Sequence, residues 1–517
     1  MRTRLFPALA ALCLAAVLFA QESPRADLQR DFVMVVAKHD YDLHPHTANY
    51  SSEAQVLSGL YEGLFSYDPQ TLEPVPALAA AHKISRDKKR WTFTIREGAA
   101  FSDGEPITAQ SVRDSWLRLL ATPAAPYASL LDSIRGARDF RTGAVGASDV
   151  GIVARDERTL VVSLDAPMAH LPSVLCHHAF AAMSEKDGVY SGAYCLRASE
   201  DDRIVLEKNP HYWDAQNVAL PSITIIASND PKENVWLFNT GRADWIVSMA
   251  DANSLLNKPA LRIAAEFGTE YLFFACRGAV WSNAAFRNAL VAAVPWDVLR
   301  AQALVSAATL IYPLVGYPAV EGLTDTSLED AQDLMARARK EAGIPADELL
   351  PLVFAITDSE RMRKEYEILR EAWAPLGVDV QCQKTSEERY LHSIPSWNAD
   401  LFTYSWIGDF ADPLAFLELF REGSTLNQTA WKNPQFVRLL ADAAETTDGA
   451  ERNKLLAQAE QVLLDDGVVL PLSHSVCLHV ISPTAVGGWY ANALDIHPFK
   501  YIHFKAETST VPNVVRR

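Results

Sequence analysis

The pattern of apolar and polar positions is clearest after residue 350, where strands and a helix alternate. Residues 350–357 form an apolar run that is typical of a buried strand. An inner helical stripe follows at spacings of four, three and four residues: Met362, Tyr366, Leu369 and Trp373. Pro375 and Gly377 then end the predicted helix.

Two more strands are predicted beyond this helix, at 378–383 and at 399–407, and residues 385–388 offer a capping box for a short helix between them. The order is therefore β-α-β-α-β, which predicts a parallel sheet covered by helices. Ligands of such sheets bind beyond the carboxyl ends of the strands. The segment Gly408-Asp409-Phe410 lies at such an end.

The middle of the chain also predicts α/β structure. An amphipathic helix starts after Ser327 and is closed by Gly343, and an apolar strand is predicted at 270–276. The first 190 residues are more mixed, with an alternating strand pattern at 91–96 and a turn at 102–104.

The N-terminus predicts export. Arg2 and Arg4 precede an apolar run from Leu5 to Ala20, which is shorter than the roughly 18 residues or more expected of a spanning helix. We interpret residues 1–20 as a signal peptide cleaved after Ala20. Cys13 leaves lipid anchoring as an alternative, although bulky Leu12 before it disfavours that.

Composition narrows the class of protein. Hydrophobic residues make up 49% and charged residues 21% of the chain, as in globular proteins. At 517 residues the chain exceeds what one core supports, so two or three lobes are expected. The net charge of −17, without a dense basic cluster, argues against a nucleic-acid partner.

The cysteines predict neither a disulfide framework nor a metal set. After the signal an odd and widely spaced set remains: Cys176, Cys195, Cys276, Cys382 and Cys477. We expect buried thiols with at most two bridges.

We find no enzyme signature in the chain: no nucleophile elbow, zinc-protease helix, dinucleotide turn or phosphate loop. The histidines at 44, 46, 177 and 178 leave a metal site open, but neighbouring side chains usually diverge. Asp409 and Asp412 could act as an acid/base pair, yet Asp409 could equally receive a ligand ammonium. Helix capping before Pro413 is the simplest role for Asp412.

Several linked segments, in order, resemble the family 5 solute-binding proteins of ABC importers, in their oligopeptide-binding branch. The segments that carry the resemblance are Leu60-Tyr-Glu-Gly-Leu-Phe65, Trp91-Thr-Phe-Thr-Ile-Arg-Glu-Gly98, Phe101-Ser-Asp-Gly-Glu-Pro-Ile-Thr-Ala109, Pro126-Tyr-Ala-Ser-Leu130, Ser191-Gly-Ala-Tyr194, Val205-Leu-Glu-Lys-Asn-Pro-His-Tyr-Trp213, Trp406-Ile-Gly-Asp-Phe-Ala-Asp-Pro413 and Asn433-Pro-Gln-Phe436.

This resemblance implies a type II periplasmic-binding-protein fold, in which two α/β lobes are joined by a hinge and a third lobe is inserted. Domain I would comprise residues 21–65, 188–268 and 476–517. The inserted domain II would span 66–187, and domain III, with the β-α-β-α-β unit, would span 269–475.

The resemblance also implies a ligand site. Asp409, after the Trp-x-x-Asp pattern, would receive the α-ammonium of a peptide, and Trp406 and Tyr127 would form the pocket. Tyr271 and Gly408 are assigned to the same site. Arg361 lies near a position where such binders carry a basic residue for the ligand carboxylate.

Two departures from the family pattern bear on the cargo. Where the well-known peptide binders carry a bridging cysteine pair, this chain has Thr269 and Ile407, so we expect no disulfide there. The stretch 181–190 is shorter than usual, which leaves the preferred peptide length open.

We therefore expect a non-catalytic, monomeric, extracytoplasmic protein without a cofactor, which binds short peptides and passes them to ABC permease subunits. Another cargo on the same fold stays open, such as a metal chelate, haem, an opine or a sugar. So does a surface adhesin or receptor role without transport. An enzyme is the least favoured alternative.

Overall fold

The computed structural model describes residues 30–506, apart from Ala124, Glu387, Glu388 and Thr447. The predicted signal peptide and Cys13 lie outside the described residues, and so do the last two positions of the predicted capping box. Within the described ranges, no helix combines the length and the apolar character needed to cross a membrane.

The strands and helices are numbered in chain order. The strands are β1 (Phe32–Val36), β2 (Phe65–Tyr67), β3 (Pro74–Pro76), β4 (Ala79–Ile84), β5 (Arg90–Ile95), β6 (Ile152–Ala154), β7 (Thr159–Ser163), β8 (Tyr194–Glu200), β9 (Arg203–Lys208), β10 (Ser222–Ala227), β11 (Trp245–Val247), β12 (Leu261–Phe274), β13 (Leu350–Ile356), β14 (Val378–Lys384), β15 (Leu401–Ile407), β16 (Val469–Ile481), β17 (Val486–Gly487) and β18 (His503–Phe504). The helices are α1 (Ser51–Leu60), α2 (Ala109–Ala121), α3 (Ala137–Arg141), α4 (Leu171–Val174), α5 (Pro231–Asn239), α6 (Ala284–Ala292), α7 (Trp296–Leu299), α8 (Leu328–Ala342), α9 (Glu360–Trp373), α10 (Tyr390–Ser393), α11 (Leu414–Leu417), α12 (Pro434–Glu445) and α13 (Gly449–Asp465).

One large sheet runs through most of the molecule, in the order β14-β13-β15-β12-β16-β11-β1-β10-β9-β8. Its two longest strands, β12 and β16, pair antiparallel with each other. At one end β12 pairs with β15, and at the other β16 pairs with β11. These two strands therefore connect the predicted domains I and III.

The β-α-β-α-β unit has the predicted order. Strand β13 pairs in parallel with both β14 and β15. Helix α9 buries Met362, Leu369 and Trp373 of the predicted stripe, and Ser359 caps its first turn by accepting the Met362 N–H. Gly377 turns the chain back with φ of 72°, a conformation that glycine adopts without steric cost.

The predicted segments upstream also form. Helix α8 begins after Ser327, whose side chain accepts the Asp330 N–H, and Gly343 follows its last residue with φ of 70°. The predicted strand at 270–276 belongs to the longer β12. Strand β5 alternates exposed and buried residues as its sequence predicts.

A separate four-stranded sheet, β4-β5-β7-β6, lies wholly within the range predicted for domain II. Polar contacts join this region to the segment after α11: Thr425 Oγ1 donates to the Pro126 carbonyl at 2.6 Å, and Arg421 lies 3.6 Å from Asp132. These contacts tie the region of the four-stranded sheet to the part of the chain that follows β15. The three domain ranges themselves stay predictions.

Thr269 and Ile407, which stand where the well-known peptide binders carry a bridging cysteine pair, lie on the neighbouring strands β12 and β15. Thr269 does not lie opposite Ile407: β12 pairs Thr269 with Trp406 and pairs Gly268 with Ile407. The difference of one position places Thr269 on the face that Trp406 occupies. The five cysteines after the signal are all free thiols.

We predict that Trp373→Ala lowers the thermal stability by an amount equivalent to about 3–5 kcal/mol, because it leaves a large cavity. Trp373 is fully buried, and its indole N–H donates to the Leu290 carbonyl at 2.9 Å. Differential scanning calorimetry measures the change. The control is Trp236→Ala, since Trp236 is half exposed; equal losses in both variants would contradict this packing role.

Candidate ligand-binding site

A cavity of about 280 Å³ opens at the carboxyl end of β15. Its walls come from α1, from β2, from the region around the four-stranded sheet and from the C-terminal loop near residue 495. Distant parts of the chain thus enclose one space, at the strand end where the sequence predicts ligand binding.

Asp409 is an acidic residue in the wall of this cavity. Its side chain is 10% exposed, and its nearest cationic candidate is His177, whose Nε2 lies 3.5 Å from Oδ1. No Lys or Arg of the described residues lies within ion-pair distance of it. Burial raises the pKa of Asp409 to about 8.

His177 supplies a hydrogen-bond donor rather than a positive charge. Its Nδ1 accepts the Ala179 N–H at 3.3 Å, so the ring proton is on Nε2, which faces Asp409. Burial lowers the pKa of His177 to about 3, and the ring is therefore neutral at neutral pH. The site lacks a full positive charge to balance an ionised Asp409.

Tyr67 fixes the backbone at this position. Its hydroxyl, on β2, donates to the Asp409 carbonyl at 2.6 Å and approaches the Ser173 carbonyl at 3.3 Å. Tyr67 is buried, and burial raises its pKa well above the usual range. Tyr67 thus fixes the main chain that carries the carboxyl group, from a strand that is distant in sequence.

Aromatic side chains form the wall beside Asp409. Trp406 is anchored by its indole N–H, which donates to the Ala415 carbonyl at 3.0 Å. The Tyr404 ring stacks near it with ring centroids 6.3 Å apart, and the Tyr127 ring centroid lies 6.4 Å away. The Tyr127 ring also packs on His177 at 4.2 Å. Flat apolar faces next to a carboxylate suit a ligand with a cationic head and an apolar body.

Gly408 is required by packing. A Cβ at this position would lie 2.5 Å from Cδ1 of Phe267, which is closer than side-chain atoms approach one another. The Gly408 N–H donates to the Phe267 carbonyl at 2.8 Å, so the backbone cannot move away without losing that bond. Glycine lets the chain pass over Phe267 and present Asp409.

The structure brings four predicted site residues together and separates two. Trp406, Gly408, Asp409 and Tyr127 line the cavity, whereas Tyr271 is buried beneath it, 5.9 Å from the Tyr404 ring. Arg361 lies elsewhere: it lines a different cavity of about 620 Å³ and pairs with Glu270 at 2.8 Å.

Asp412 has a structural role. Its carboxylate accepts the Leu414 N–H at 2.9 Å at the start of α11 and pairs with both terminal nitrogens of Arg452. Burial alone would raise the pKa of Asp412, but Arg452 reverses this and holds the pKa below its usual value. The side chain is therefore occupied, as the capping interpretation expects.

A larger cavity of about 880 Å³ adjoins the first one. Four residues line both cavities: Tyr50, Ser51, Gln55 and Asp495. The cleft is therefore continuous, and Asp495 lies at its junction. The sequence analysis missed His177 as a partner of Asp409, and it missed Tyr67, Tyr404 and Asp495.

One group of side chains in the described part of the chain has the spacing of a metal site: Cys477, His479 and Asp495, whose ligand atoms lie within 4.8 Å of one another. The histidines at 44, 46, 177 and 178 form no such group there. His479 is poorly suited to bind a metal, because its Nδ1 accepts the indole N–H of Trp245 at 3.1 Å. Its proton is thereby fixed on Nε2, the atom that would have to bind the ion.

Comparison with known proteins gives the family. Residues 73–428, more than half of the chain, match the model described as "Bacterial extracellular solute-binding proteins, family 5 Middle". The chain belongs to this family. Family 5 proteins are substrate-binding proteins of transporters, not enzymes.

Among curated family 5 relatives, the oligopeptide-binding protein OppA of Bacillus subtilis is 28% identical over 464 residues, which cover 84% of this chain and 85% of OppA. Among solved structures, the murein tripeptide binding protein MppA of Escherichia coli is 25% identical and gives a TM-score of 0.81, covering 92% of this chain and 99% of MppA. The predicted type II periplasmic-binding-protein fold is confirmed.

A second structure of MppA, described as the unliganded open form, gives a TM-score of 0.64 at the same identity, covering 92% of this chain and 97% of that one. The present arrangement of lobes is therefore closer to the first MppA structure than to the open form.

We predict that Gly408→Ala lowers thermal stability by an amount equivalent to about 1–3 kcal/mol, because the new methyl group overlaps the Phe267 ring. Differential scanning calorimetry measures the change in melting temperature. Gly449→Ala is the matched control, since no atom lies within 4 Å of its added Cβ. A melting temperature unchanged in both variants would show that the Phe267 contact relaxes freely.

Proposed function

We propose that this protein captures short peptides outside the cytoplasmic membrane and delivers them to an ABC importer. The observation that carries the proposal is Asp409, a carboxylate buried in the cleft without a Lys or Arg partner among the described residues. The α-ammonium of a peptide supplies the missing charge, whatever the peptide's side chains are.

The names of the relatives support a peptide cargo. OppA of Bacillus subtilis is described as oligopeptide-binding, and MppA of Escherichia coli as binding a murein tripeptide. Both span nearly the whole described chain, so the likeness includes the cleft and not only one lobe.

The proposed roles follow from the positions of the side chains. Asp409 binds the α-ammonium, Trp406 and Tyr127 form the walls next to it, and Gly408 permits the close passage over Phe267. Tyr271 supports the wall from below by packing on Tyr404.

Arg361 can take a ligand carboxylate only if it leaves Glu270, with which it pairs at 2.8 Å. An unbroken pair would leave the carboxyl end of the peptide to other groups of the cleft. We further propose that the protein acts as a monomer without catalytic activity, that it is exported by the segment at 1–20, and that it hands its cargo to permease subunits.

Burial of Asp409 links ligand binding to closure of the lobes. In an open cleft water solvates the ionised carboxylate, whereas an empty closed cleft favours the protonated form. A bound ammonium removes this penalty and shifts the population toward the closed form. The closed form is then populated mainly when a ligand occupies the cleft.

We predict that protein purified from its natural host without denaturation carries a heterogeneous set of peptides, visible by native mass spectrometry as a ladder of masses. Asp409→Asn should lose most of them, because a neutral amide cannot replace the charge-assisted bond. Asp379→Asn, an exposed change on β14, is the control and should keep the ladder. A single non-peptide mass in both variants would contradict the peptide assignment.

We also predict that pH controls closure of the empty protein. Because closure raises the pKa of Asp409 from its ordinary value near 4 to about 8, the closed empty form loses stability as pH rises between these values. The radius of gyration from small-angle scattering should therefore increase between about pH 5 and pH 8.

Adding peptide at about pH 8 should reverse this increase. In Asp409→Asn the radius of the empty protein should not follow pH, and this comparison separates Asp409 from other buried acids such as Glu460. A wild-type radius that is independent of pH, or an equal change in the variant, would contradict the coupling.

A further inference from the structure

Asp495 is a second carboxylate of the cleft that lacks a cationic partner. It lies in the loop after β17, its side chain is 13% exposed, and it lines both the cavity that contains Asp409 and the larger adjoining one. The other acidic residues of these walls are paired: Glu62 with Lys500 at 2.6 Å, and Asp358 with Lys384 at 3.1 Å.

Two buried histidines orient Asp495. His479 Nε2 lies 2.8 Å and His497 Nε2 lies 2.9 Å from the same oxygen, Oδ1. Trp245 donates to Nδ1 of His479, so this ring is a neutral Nε2–H donor. Burial lowers the pKa of His497, which is likewise neutral. Two hydrogen bonds thus stabilise the carboxylate without cancelling its charge.

The second oxygen, Oδ2, is free of such bonds: no hydrogen bond or ion pair to it is found within the described residues. Burial alone would raise the pKa of Asp495, but the hydrogen bonds from the two histidines reverse this and lower the pKa below its usual value. Asp495 is therefore ionised, with one oxygen held and the other available at the junction of the cavities.

Glu266 is a second buried acid that is affected by the charge of Asp495. Its side chain is buried, 7% exposed, and makes no hydrogen bond or ion pair in the described part of the chain. Burial and the charge of Asp495 raise the pKa of Glu266 to about 8, so it is protonated at neutral pH. Among the described residues, neither of these two acids has a Lys or Arg within ion-pair distance.

The backbone at Asp495 is also held in an uncommon conformation, with φ of 52°. Asn492 stabilises the turn, because its side-chain oxygen accepts the N–H groups of Leu494 and Ile496, both at 3.2 Å. A positive φ at a residue other than glycine costs free energy, and such positions concentrate at functional sites.

The basic residues of the cleft do not neutralise Asp495. Lys38 is the one Lys or Arg among the described residues that line either cavity, and its amine lies beyond ion-pair distance of Asp495. Only one of the two unpaired carboxylates, Asp409, is accounted for by a peptide α-ammonium.

We propose that Asp495 binds a second positive charge of the cargo, the ammonium or guanidinium of a basic side chain, and that the protein therefore prefers peptides containing Lys, Arg or ornithine. This inference rests on the proposed capture of peptides. It adds a specificity-determining residue to a site that otherwise recognises only the main chain.

The test is calorimetric titration with tetra-alanine peptides in which one of positions 2, 3 or 4 is replaced by lysine or by norleucine. At one of these positions lysine should bind at least about tenfold more tightly than norleucine, which matches one charged hydrogen bond. Asp495→Asn should abolish this preference and leave the affinity for the norleucine peptide within about twofold of wild type.

Asparagine is suitable because it tolerates positive φ and keeps an oxygen for the two histidines. Asp358→Asn, which lines the larger cavity but pairs with Lys384, is the control and should keep the lysine preference. If Asp495→Asn does not fold, the wild-type protein is titrated with lysine and acetyl-lysine peptides, because acetylation removes the charge of the lysine side chain. The proposal then predicts weaker binding of the acetyl-lysine peptide.

Equal binding of lysine and norleucine peptides at all three positions would overturn this inference and leave peptide capture standing. A lysine preference that persists in Asp495→Asn would also overturn it. Absence of binding for every peptide would overturn the proposed function and this inference together.

Discussion

A carboxylate buried without a cation of its own is the feature on which the rest of this structure depends. Asp409 is placed just beyond a strand end, beside aromatic rings, where burial limits its contact with water and where the described residues offer only a neutral histidine. An isolated buried charge is costly, and proteins normally pair it or protonate it. Here the missing partner is best understood as the ligand.

The surrounding architecture keeps that carboxylate in place and controls when it is buried. Tyr67 holds its backbone from the inserted region, and Gly408 brings the chain across Phe267. The long strands β12 and β16 connect the lobes on either side of the cleft. Because the walls come from separate lobes, we propose that closure buries Asp409, so that a ligand that neutralises the charge stabilises the closed form.

The sequence predicted the parts of this account that depend on local spacing. The β-α-β-α-β unit could be predicted because apolar periodicity, Pro375 and Gly377 are local signals. The segment Gly408-Asp409-Phe410 was placed at a strand end in the same way, whereas the ligand role of Asp409 was implied by the family resemblance. The role of Tyr67 could not be predicted from the sequence, because its hydroxyl donates to Asp409, which lies 342 positions further along the chain. The same holds for His177 and Asp495, which come to the cleft from distant loops.

The register of β12 is another feature that local spacing does not predict. Strand β12 is irregular between Ala265 and Thr269 in its pairing with β16, and such an irregularity leaves no clear mark in the sequence. A shift of one position in a strand exchanges its two faces. Arg361 shows a further limit, because its pairing with Glu270 follows from tertiary packing that the helical pattern of α9 does not reveal.

The most direct test of the central claim is a thermodynamic cycle measured by calorimetry, in which Asp409→Asn is combined with N-terminal acetylation of one peptide ligand. If Asp409 binds the α-ammonium, each change alone weakens binding, and the two together weaken it little more than one does. The coupling should be at least about 1.5 kcal/mol. Fully additive losses would contradict the account, because they would place the ammonium elsewhere in the cleft.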